Sequence, residues 1–384
     1  MARLAALTCR FCCGELNDPP LLCYPRSPSS AQGFTDSPTG QDDGLDLNIH
    51  QCTSCGLVQH PLNPVPYYKD VIRSIAFSGE MASFRLEQLG SWLSTNHIQE
   101  KKILEIGCGK GEYLDLLTQA GATSVFGIEN SLSNIEVAIH NGFQVQHGYL
   151  DVEFTNPWPF MFEAFAVFSF LEHWPDLNNS LRSLNSLLSS GAVGLIEVPN
   201  FEFILNKNLY SEFTVDHIYY FDRSTLKRVL ELNGFEVESI ECIWHEYILS
   251  AKVKKRKPLD ASGFIHQQQK IVTELHNYLG NFAPSEVVVW GAGHQSLTVM
   301  SLAQLSTRIS HVIDSAHFKQ NKYTPGTKLL IKSPESLKTD ATKVVLIMAA
   351  AYSDEVANQV KKDYPQIQHI AILRETGLEV LTHG

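Results

Sequence analysis

The sequence predicts an α/β protein: a doubly wound parallel sheet, preceded by a small four-cysteine module and followed by a second α/β unit. Three observations carry this. Short apolar strands alternate with amphipathic helical stretches twice along the chain, which is the pattern of parallel sheets with crossover helices. A glycine loop follows the first strand of each alternating unit, at Gly107–Gly111 and at Gly291–Gly293. Two Cys-x2-Cys pairs, Cys9/Cys12 and Cys52/Cys55, stand in an N-terminal segment with too few apolar residues to build a core alone.

At 384 residues the chain exceeds one ordinary core, so two or three domains are expected. Hydrophobic residues make up 44% and charged residues 18%, a globular composition. The formal net charge of -11 argues against binding nucleic acid through its phosphates. No apolar run is long enough to span a bilayer, so neither nucleic acid nor membrane is expected as a partner. Met1 to Thr8 is apolar but short and lacks a small-residue cleavage pattern. The eight cysteines form two tight pairs plus singles, which fits a cytoplasmic, reducing location better than a disulfide framework.

The elements follow in order. Residues 1–65, rich in Pro, Ser, Asp and Cys, form the N-terminal module. Residues 66–100 read as helical, with Ala82, Phe84, Leu86, Leu89, Trp92 and Leu93 at roughly helical spacing. Lys101 to Glu105 is a strand running into the first glycine loop, and a helix follows from Tyr113 to Ala120. Then come a strand at Val125–Ile128 ending on Glu129, a helix at Leu132–Asn141 and a strand near Val145. Ala164–Phe170 is a strand, Leu177–Leu188 a helix closing at Ser190-Gly191, and Val193–Val198 a strand. A helix at Arg223–Asn233 stops at Gly234, and Glu236–Tyr247 supplies further strand. The basic, proline-ended run Lys252–Pro258 marks a boundary, so the middle domain covers 66–255 and the last one 256–384. In that last domain a helix at Gly263–Leu279 precedes strands Val287–Trp290, Val312–Asp314, Val344–Met348 and Ile370–Leu373.

The cysteine pairs predict a metal. Two residues between cysteines let both thiolates of a tight turn face one ion, and two such turns complete a tetrahedral four-sulfur Zn2+ site. With Cys9, Cys12, Cys52 and Cys55 filling all four positions, such a zinc would be structural. Cys13 and Cys23 are alternatives to Cys12, and redox chemistry is the competing use of a CxxC pair. The spacing favours Cys12, and the duplication in a loop-rich segment favours metal.

The glycine loop at 107–111 lies between a strand and a helix. Its glycines let the backbone approach a ligand, and the helix start offers amide donors. The run Glu105-Ile106-Gly107-Cys108-Gly109-Lys110-Gly111 departs from the G-x-G-x-x-G of dinucleotide enzymes. It resembles the class I methyltransferases that use S-adenosylmethionine (SAM). The resemblance implies that Glu105 reaches the amino-acid part of SAM, beside Gly107, Gly109 and Gly111. Glu129, closing the next strand, is placed to accept the ribose hydroxyls, against a reading as a solvated loop charge. Asp151 is a candidate for the adenine edge, with Tyr149 and Leu150 as competing choices. The stretches Phe168–Asp176 and Gly194–Asn200 also look like this superfamily. Leu171, Glu172 and His173 fall at the carboxyl end of the sheet, where ligands bind in doubly wound folds. His173 reads as a general base or as a residue that orders the loop and touches the methionine part of SAM.

The order of parts resembles one family, the SAM-dependent sugar C-methyltransferases that act on nucleotide-linked keto-deoxysugars in antibiotic and surface-polysaccharide pathways. The likeness covers nearly the whole chain. It is carried by Cys52-Thr-Ser-Cys55-Gly-Leu-Val-Gln59, by Val287-Val-Val-Trp-Gly-Ala-Gly293 and by Tyr323 to Leu337. It implies a class I methyltransferase sheet and a C-terminal Rossmann-like domain. In the stretch Thr214-Val215-Asp216-His217-Ile218-Tyr219-Tyr220-Phe221, His217 matches the family's proposed base and Asp216 replaces its glutamate. Thr214 and Val215 replace a tyrosine and a histidine, and the stretch opening at His245 lacks the family's glycines. Tyr68 and Ser78 match a segment that folds over SAM.

The chemistry explains why a base is wanted. A carbon next to a ketone becomes nucleophilic only after losing a proton, and a neutral histidine near pH 7 can take it. Tyr219, Tyr220 or His245 could stabilise the enolate oxygen, and Asp216 could orient His217. SAM carries the activated methyl group, so transfer needs no metal. Asn200, at the end of the fifth strand, is a further substrate contact. In the last domain Gly291-Ala-Gly293-His-Gln-Ser296, with Asp314 ending the next strand, taken alone reads as an NAD site whose third glycine is Ser296. The resemblance implies instead a cradle for the substrate's nucleotide, with His294 and Gln295 as phosphate or ribose contacts. The expected partner is a small molecule, a nucleotide sugar, and the expected state a monomer or homodimer. An O- or N-methyltransferase and a SAM-binding module with lost catalysis are the alternatives.

Overall fold

In the computed structural model, which describes residues 7–32, 34, 44–69 and 78–381, the chain divides into two units, Met1–Pro258 and Leu259–Gly384. Part of the helix expected over 66–100 lies outside the described residues; the described part is α1 (Gly79–Asn96), capped by Ser78. Among the described residues no helix is long and apolar enough to cross a membrane.

The N-terminal segment does form a sheet. β1 (Leu22–Ser27) pairs antiparallel with β2 (Leu45–Gln51), and β2 with β3 (Val58–Gln59). Leu47, Ile49 and Val58 are buried, so the strand pattern is apolar at alternate positions of β2. Few residues contribute, and the rest of this small core comes from Phe201, Val215 and Tyr220 of the following domain.

That domain holds a seven-stranded sheet. β4 (Lys102–Ile106), β5 (Ser124–Glu129), β6 (Gln144–His147), β7 (Phe162–Phe168) and β8 (Leu188–Pro199) are parallel. Helices α2 (Glu112–Gln119), α3 (Leu132–His140) and α4 (Leu177–Ser186) connect them. β7 is buried along nearly its whole length, as expected of a central strand covered on both faces. The chain then runs through α5 (Phe201–Asn206), the short β9 (Tyr219–Tyr220), α6 (Arg223–Leu232), β10 (Phe235–Ile243) and β11 (Ile248–Lys255). The order is β10-β11-β8-β7-β4-β5-β6. Strand order reverses between β4 and β7, which leaves a crevice at their carboxyl ends.

Three expectations are corrected here. The strand expected through Tyr247 is a hairpin: β10 and β11 pair antiparallel across a turn in which Trp244, His245 and Glu246 all have positive φ. β11 inserts between β10 and β8, so Lys252–Lys255, the start of the expected boundary run, belongs to the sheet. The reason is period-two burial. Ala251 and Val253 are fully buried, while Lys252 and Lys254 point outward to Glu241 and Glu238. The helix expected to reach Leu188 ends at Ser186, and β8 starts at Leu188 and passes through Gly191 at φ 75°.

The second unit is a six-stranded sheet. α7 (Ser262–Leu279) precedes β12 (Val287–Trp290), α8 (His294–Leu302), β13 (His311–Ile313), β14 (Ile331–Lys332), β15 (Val344–Ile347), α9 (Ser353–Asp363), β16 (His369–Arg374) and β17 (Gly377–Leu381). The order is β14-β13-β12-β15-β16-β17, parallel except for β17.

A buried ion pair locks α1 to the first sheet. Arg85 Nη1 lies 2.6 Å from Glu197 Oε2 on β8, and both residues are at most 1% exposed. Gln88 and Ser250 donate to the other carboxylate oxygen. Removing one partner strands a buried charge. Arg85→Ala is therefore expected to lower the stability of this domain by about 3–5 kcal/mol, read as a shift of the urea transition.

Candidate active site

The first glycine loop lies at the carboxyl end of β4. Gly107, Gly109 and Gly111 take φ of 69°, 57° and 94°, the left-handed region. Two of them also admit no side chain. A Cβ on Gly107 would meet the Phe170 ring at 2.7 Å, and one on Gly111 the Phe143 ring at 2.7 Å. Glu105 is fully buried at the end of the same strand. Glu129, only 6% exposed, accepts from Gly109 N and from Ser131 N, both at 2.9 Å. Its carboxylate is thus held against the loop, where a solvated loop charge would point away. Gly107, Glu129, Asn130, Tyr149, Leu150 and Phe170 line a small cavity here.

The other expected ligand contacts scatter around this point. Tyr68 meets Tyr149 edge-on, with ring centroids 5.5 Å apart. Leu171 is fully buried in the turn after β7. Asp151 accepts from Glu153 N and lies 3.6 Å from Lys69 Nζ, while Tyr149 and Leu150 face the cavity. Ser78 is exposed and accepts from Met81 N as the cap of α1.

The histidines meet beside the crevice. After β7 the chain passes through Ser169, at φ 44°, into the single turn Leu171–His173. His173 Nδ1 lies 2.7 Å from the Asp216 carbonyl. A carbonyl only accepts, so Nδ1 carries the proton. The His217 ring stands 4.8 Å from that of His173, nearly perpendicular to it. Burial first, and the neighbouring His173 second, push the His217 imidazole down to about 3, with Asp216 opposing. His217 is therefore neutral at pH 7, with a lone pair to offer.

A network of main-chain bonds sets this loop. β3 pairs antiparallel with β9, matching Val58 with Tyr220 and Gln59 with Tyr219. His60 N donates to Ile218 O, and Ile218 N donates to Glu172 O. His60 Nε2 donates to Val215 O at 3.0 Å. Asp216 turns away from His217. Its carboxylate accepts from Tyr67 Oη and from Ala31 N, so it anchors the residues ahead of it. Tyr219 Oη donates to Pro175 O, and Tyr220 Oη bonds the main chain of Thr214. Burial raises both phenols. His245 is not part of this group. It sits on the β10–β11 turn, largely exposed, 3.8 Å from Glu80. Asn200 is buried, caps α5 and donates to Glu246 O. Sequence reasoning missed His60 and Phe170, because their roles exist only across strand pairing and loop contacts.

The four cysteines converge. Cys9 and Cys55 sulfurs are 3.7 Å apart, Cys12 and Cys52 sulfurs 3.4 Å, and all four lie within 4.8 Å of one another. Sulfurs bound tetrahedrally to zinc sit roughly 3.8 Å apart, so the set fits that ion. Gln59 Nε2 donates to Cys9 Sγ, and main-chain amides of Gly14 and Cys55 donate to Cys12 and Cys52. Cys13 and Cys23 stay outside the cluster. In the second unit Gly291, at φ 124°, packs so tightly that a Cβ would meet Met348 O at 2.5 Å. His294 and Gln295 open α8 and line a cleft with Asp314 and Lys319. Asp314 accepts from Ala292 N and from Lys319 Nζ, so its carboxylate is already engaged.

His60 supplies a pH signature. Its Nε2 carries the proton donated to Val215 O, and Nδ1 has no partner among the described residues. Burial holds its pKa at about 4, below the ordinary 6.5. The unfolded chain takes up a proton that the native protein refuses, so stability falls as pH drops from about 6.5 toward 4. The melting temperature should fall less over this range in His60→Gln than in the wild type.

The family described as "Methyltransferase domain" matches residues 79–240, and the "C-methyltransferase C-terminal domain" matches residues 253–368. C-methyltransferase NovU of Streptomyces niveus is 20% identical over 313 residues, covering 68% of this chain and 69% of that protein. The ubiquinone biosynthesis O-methyltransferase of Haemophilus ducreyi is 30% identical over 134 residues, 31% of this chain and 56% of that protein. The solved magnesium protoporphyrin IX methyltransferase of Synechocystis PCC 6803 has a TM-score of 0.38 at 15% identity. It covers 48% of this chain and 90% of its own. With a methyltransferase domain at residues 79–240 and a C-methyltransferase C-terminal domain at residues 253–368, the protein is a SAM-dependent methyltransferase.

Proposed function

We propose that the protein methylates a carbon next to a carbonyl, in a nucleotide-linked keto-deoxysugar, with His217 as the base. The carrying observation is the C-methyltransferase C-terminal domain over residues 253–368, in one chain with a crevice beside which the His217 and His173 rings meet at 4.8 Å. Bound SAM supplies an electrophilic methyl group. Glu105, Gly107, Gly109, Gly111 and Glu129 would hold it, with Tyr68, Leu150, Leu171 and His173 around it. His217 takes the proton from the acceptor carbon, and the electron pair left behind makes that carbon nucleophilic. His173, fixed in one tautomer by the Asp216 carbonyl, keeps the His217 ring in place. Tyr219 and Tyr220 are tied to main-chain carbonyls, so they support the loop instead of reaching for an oxyanion. His294 and Gln295 suit the substrate's phosphates.

His217→Ala should cut methyl transfer about 10²–10⁴-fold and abolish exchange of the acceptor C–H in D2O, while SAM affinity stays near wild type. Glu129→Ala should instead weaken SAM about 10–100-fold, the effect of losing hydrogen bonds to a charged group. Turnover retained in His217→Ala removes it as the base. The match of the middle domain to O-methyltransferases favours a second reading, oxygen methylation; NMR of the product distinguishes the two.

We also propose that Cys9, Cys12, Cys52 and Cys55 hold a structural zinc that keeps β3 against β9. After treatment with a mild chelator, metal analysis should find about one zinc per chain, and Cys52→Ser should lose it together with several degrees of melting temperature. Zinc-free purified protein with unchanged melting would refute this.

A further inference from the structure

A second group of metal-binding side chains lies apart from the cysteines. Glu172, His173 and His217 each offer one ligand atom, and these atoms all lie within 4.8 Å of one another. Glu172 and His173 are buried, and His217 is partly buried. We propose that these three residues form a binding site for a divalent transition cation such as Zn2+ or Co2+, and that the bound cation blocks methyl transfer.

Three features of the geometry support this. Two imidazoles and one carboxylate form a donor set suited to such ions. His173 gives its Nδ1 proton to the Asp216 carbonyl at 2.7 Å, which leaves Nε2 as the ligating atom. That outer bond to a carbonyl is the arrangement by which proteins fix a metal-binding histidine. Finally, Ile218 N donates to Glu172 O at 2.9 Å, so the main chains that carry Glu172 and His217 are tied together. Glu172 Oε1 and His173 Nε2 are 3.9 Å apart. Donors bound tetrahedrally to zinc sit roughly 3.3 Å apart, so this pair stands near the spacing such an ion requires. Three protein ligands leave a fourth position for water. The ion takes the His217 lone pair, and no proton can then be accepted there. The blocking effect rests on His217 being the base; the binding does not.

The test uses the full chain with its cysteine cluster kept zinc-loaded, treated with a mild chelator and titrated with Co2+. The expected result is one Co2+ per chain with the visible d–d bands of a four-coordinate ion, no thiolate charge-transfer band, and displacement by Zn2+. Glu172→Gln should bind Co2+ more weakly by more than the roughly 10–100-fold typical of losing an outer partner. Its fold is checked by SAM binding and melting. With a nucleotide-linked keto-deoxysugar as acceptor, Zn2+ should inhibit the wild type reversibly and spare Glu172→Gln. Absence of Co2+ binding in the wild type, or equal affinity in Glu172→Gln, would overturn the site. Undiminished transfer with the ion bound would overturn the blocking role. Because Co2+ is read without any acceptor, failure of the metal site is distinguishable from failure of His217 as the base.

Discussion

The arrangement of the histidines depends on a pairing of two residues with two. β3 and β9 align Val58 with Tyr220 and Gln59 with Tyr219, and His60 continues the contact to Ile218 and Val215. So short a ladder has little stability of its own. It persists because β3 is stapled at one end and packed at the other. Gln59 donates to Cys9 in the cysteine cluster, and Val58 and Tyr220 share a small core with Leu47 and Ile49. The loop that carries His217 is thus held in part by the N-terminal module, and Asp216 returns the favour by anchoring Tyr67 and Ala31.

The crevice on the other side of His173 rests on more ordinary forces. β4 and β7 are buried parallel strands whose carboxyl ends diverge where strand order reverses. The left-handed glycines fold the loop tightly enough for Gly109 N to reach Glu129. On the same sheet, Arg85 and Glu197 place a charge pair where apolar side chains would serve stability as well. The pair adds direction, because it fixes α1 in one register against β8 and β11 through Gln88 and Ser250.

The fold was largely legible where each element declares itself locally. β4, β5, β7 and β12 are short apolar strands, β4 and β12 each running into a glycine loop, and their positions follow from the sequence within a few residues. β11 was not legible. Its lysines dominate the composition of the segment, and only pairing with β8 shows that Ala251 and Val253 form a buried face. The N-terminal sheet was missed for a related reason, since Phe201, Val215 and Tyr220 of its core lie beyond position 200. At the site, the sequence pointed to His173 and His217 separately. Their approach, the tautomer of His173 and the diversion of Asp216 to Tyr67 are contacts between distant segments.

By itself the sequence determined what is written in consecutive residues: the glycine loop at 105–111, the two cysteine turns, and the order of the domains. Those features carry their physics in spacing and in backbone freedom, which need no partner to be read. Tertiary structure alone decided which polar groups meet. It turned Tyr219, Tyr220 and Asn200 toward main-chain groups, left His245 on an exposed turn, and brought Glu172, His173 and His217 within reach of one another. The physical reason is that a buried polar group must find its hydrogen-bond partner wherever packing brings one, and packing is not a property of any single stretch of chain.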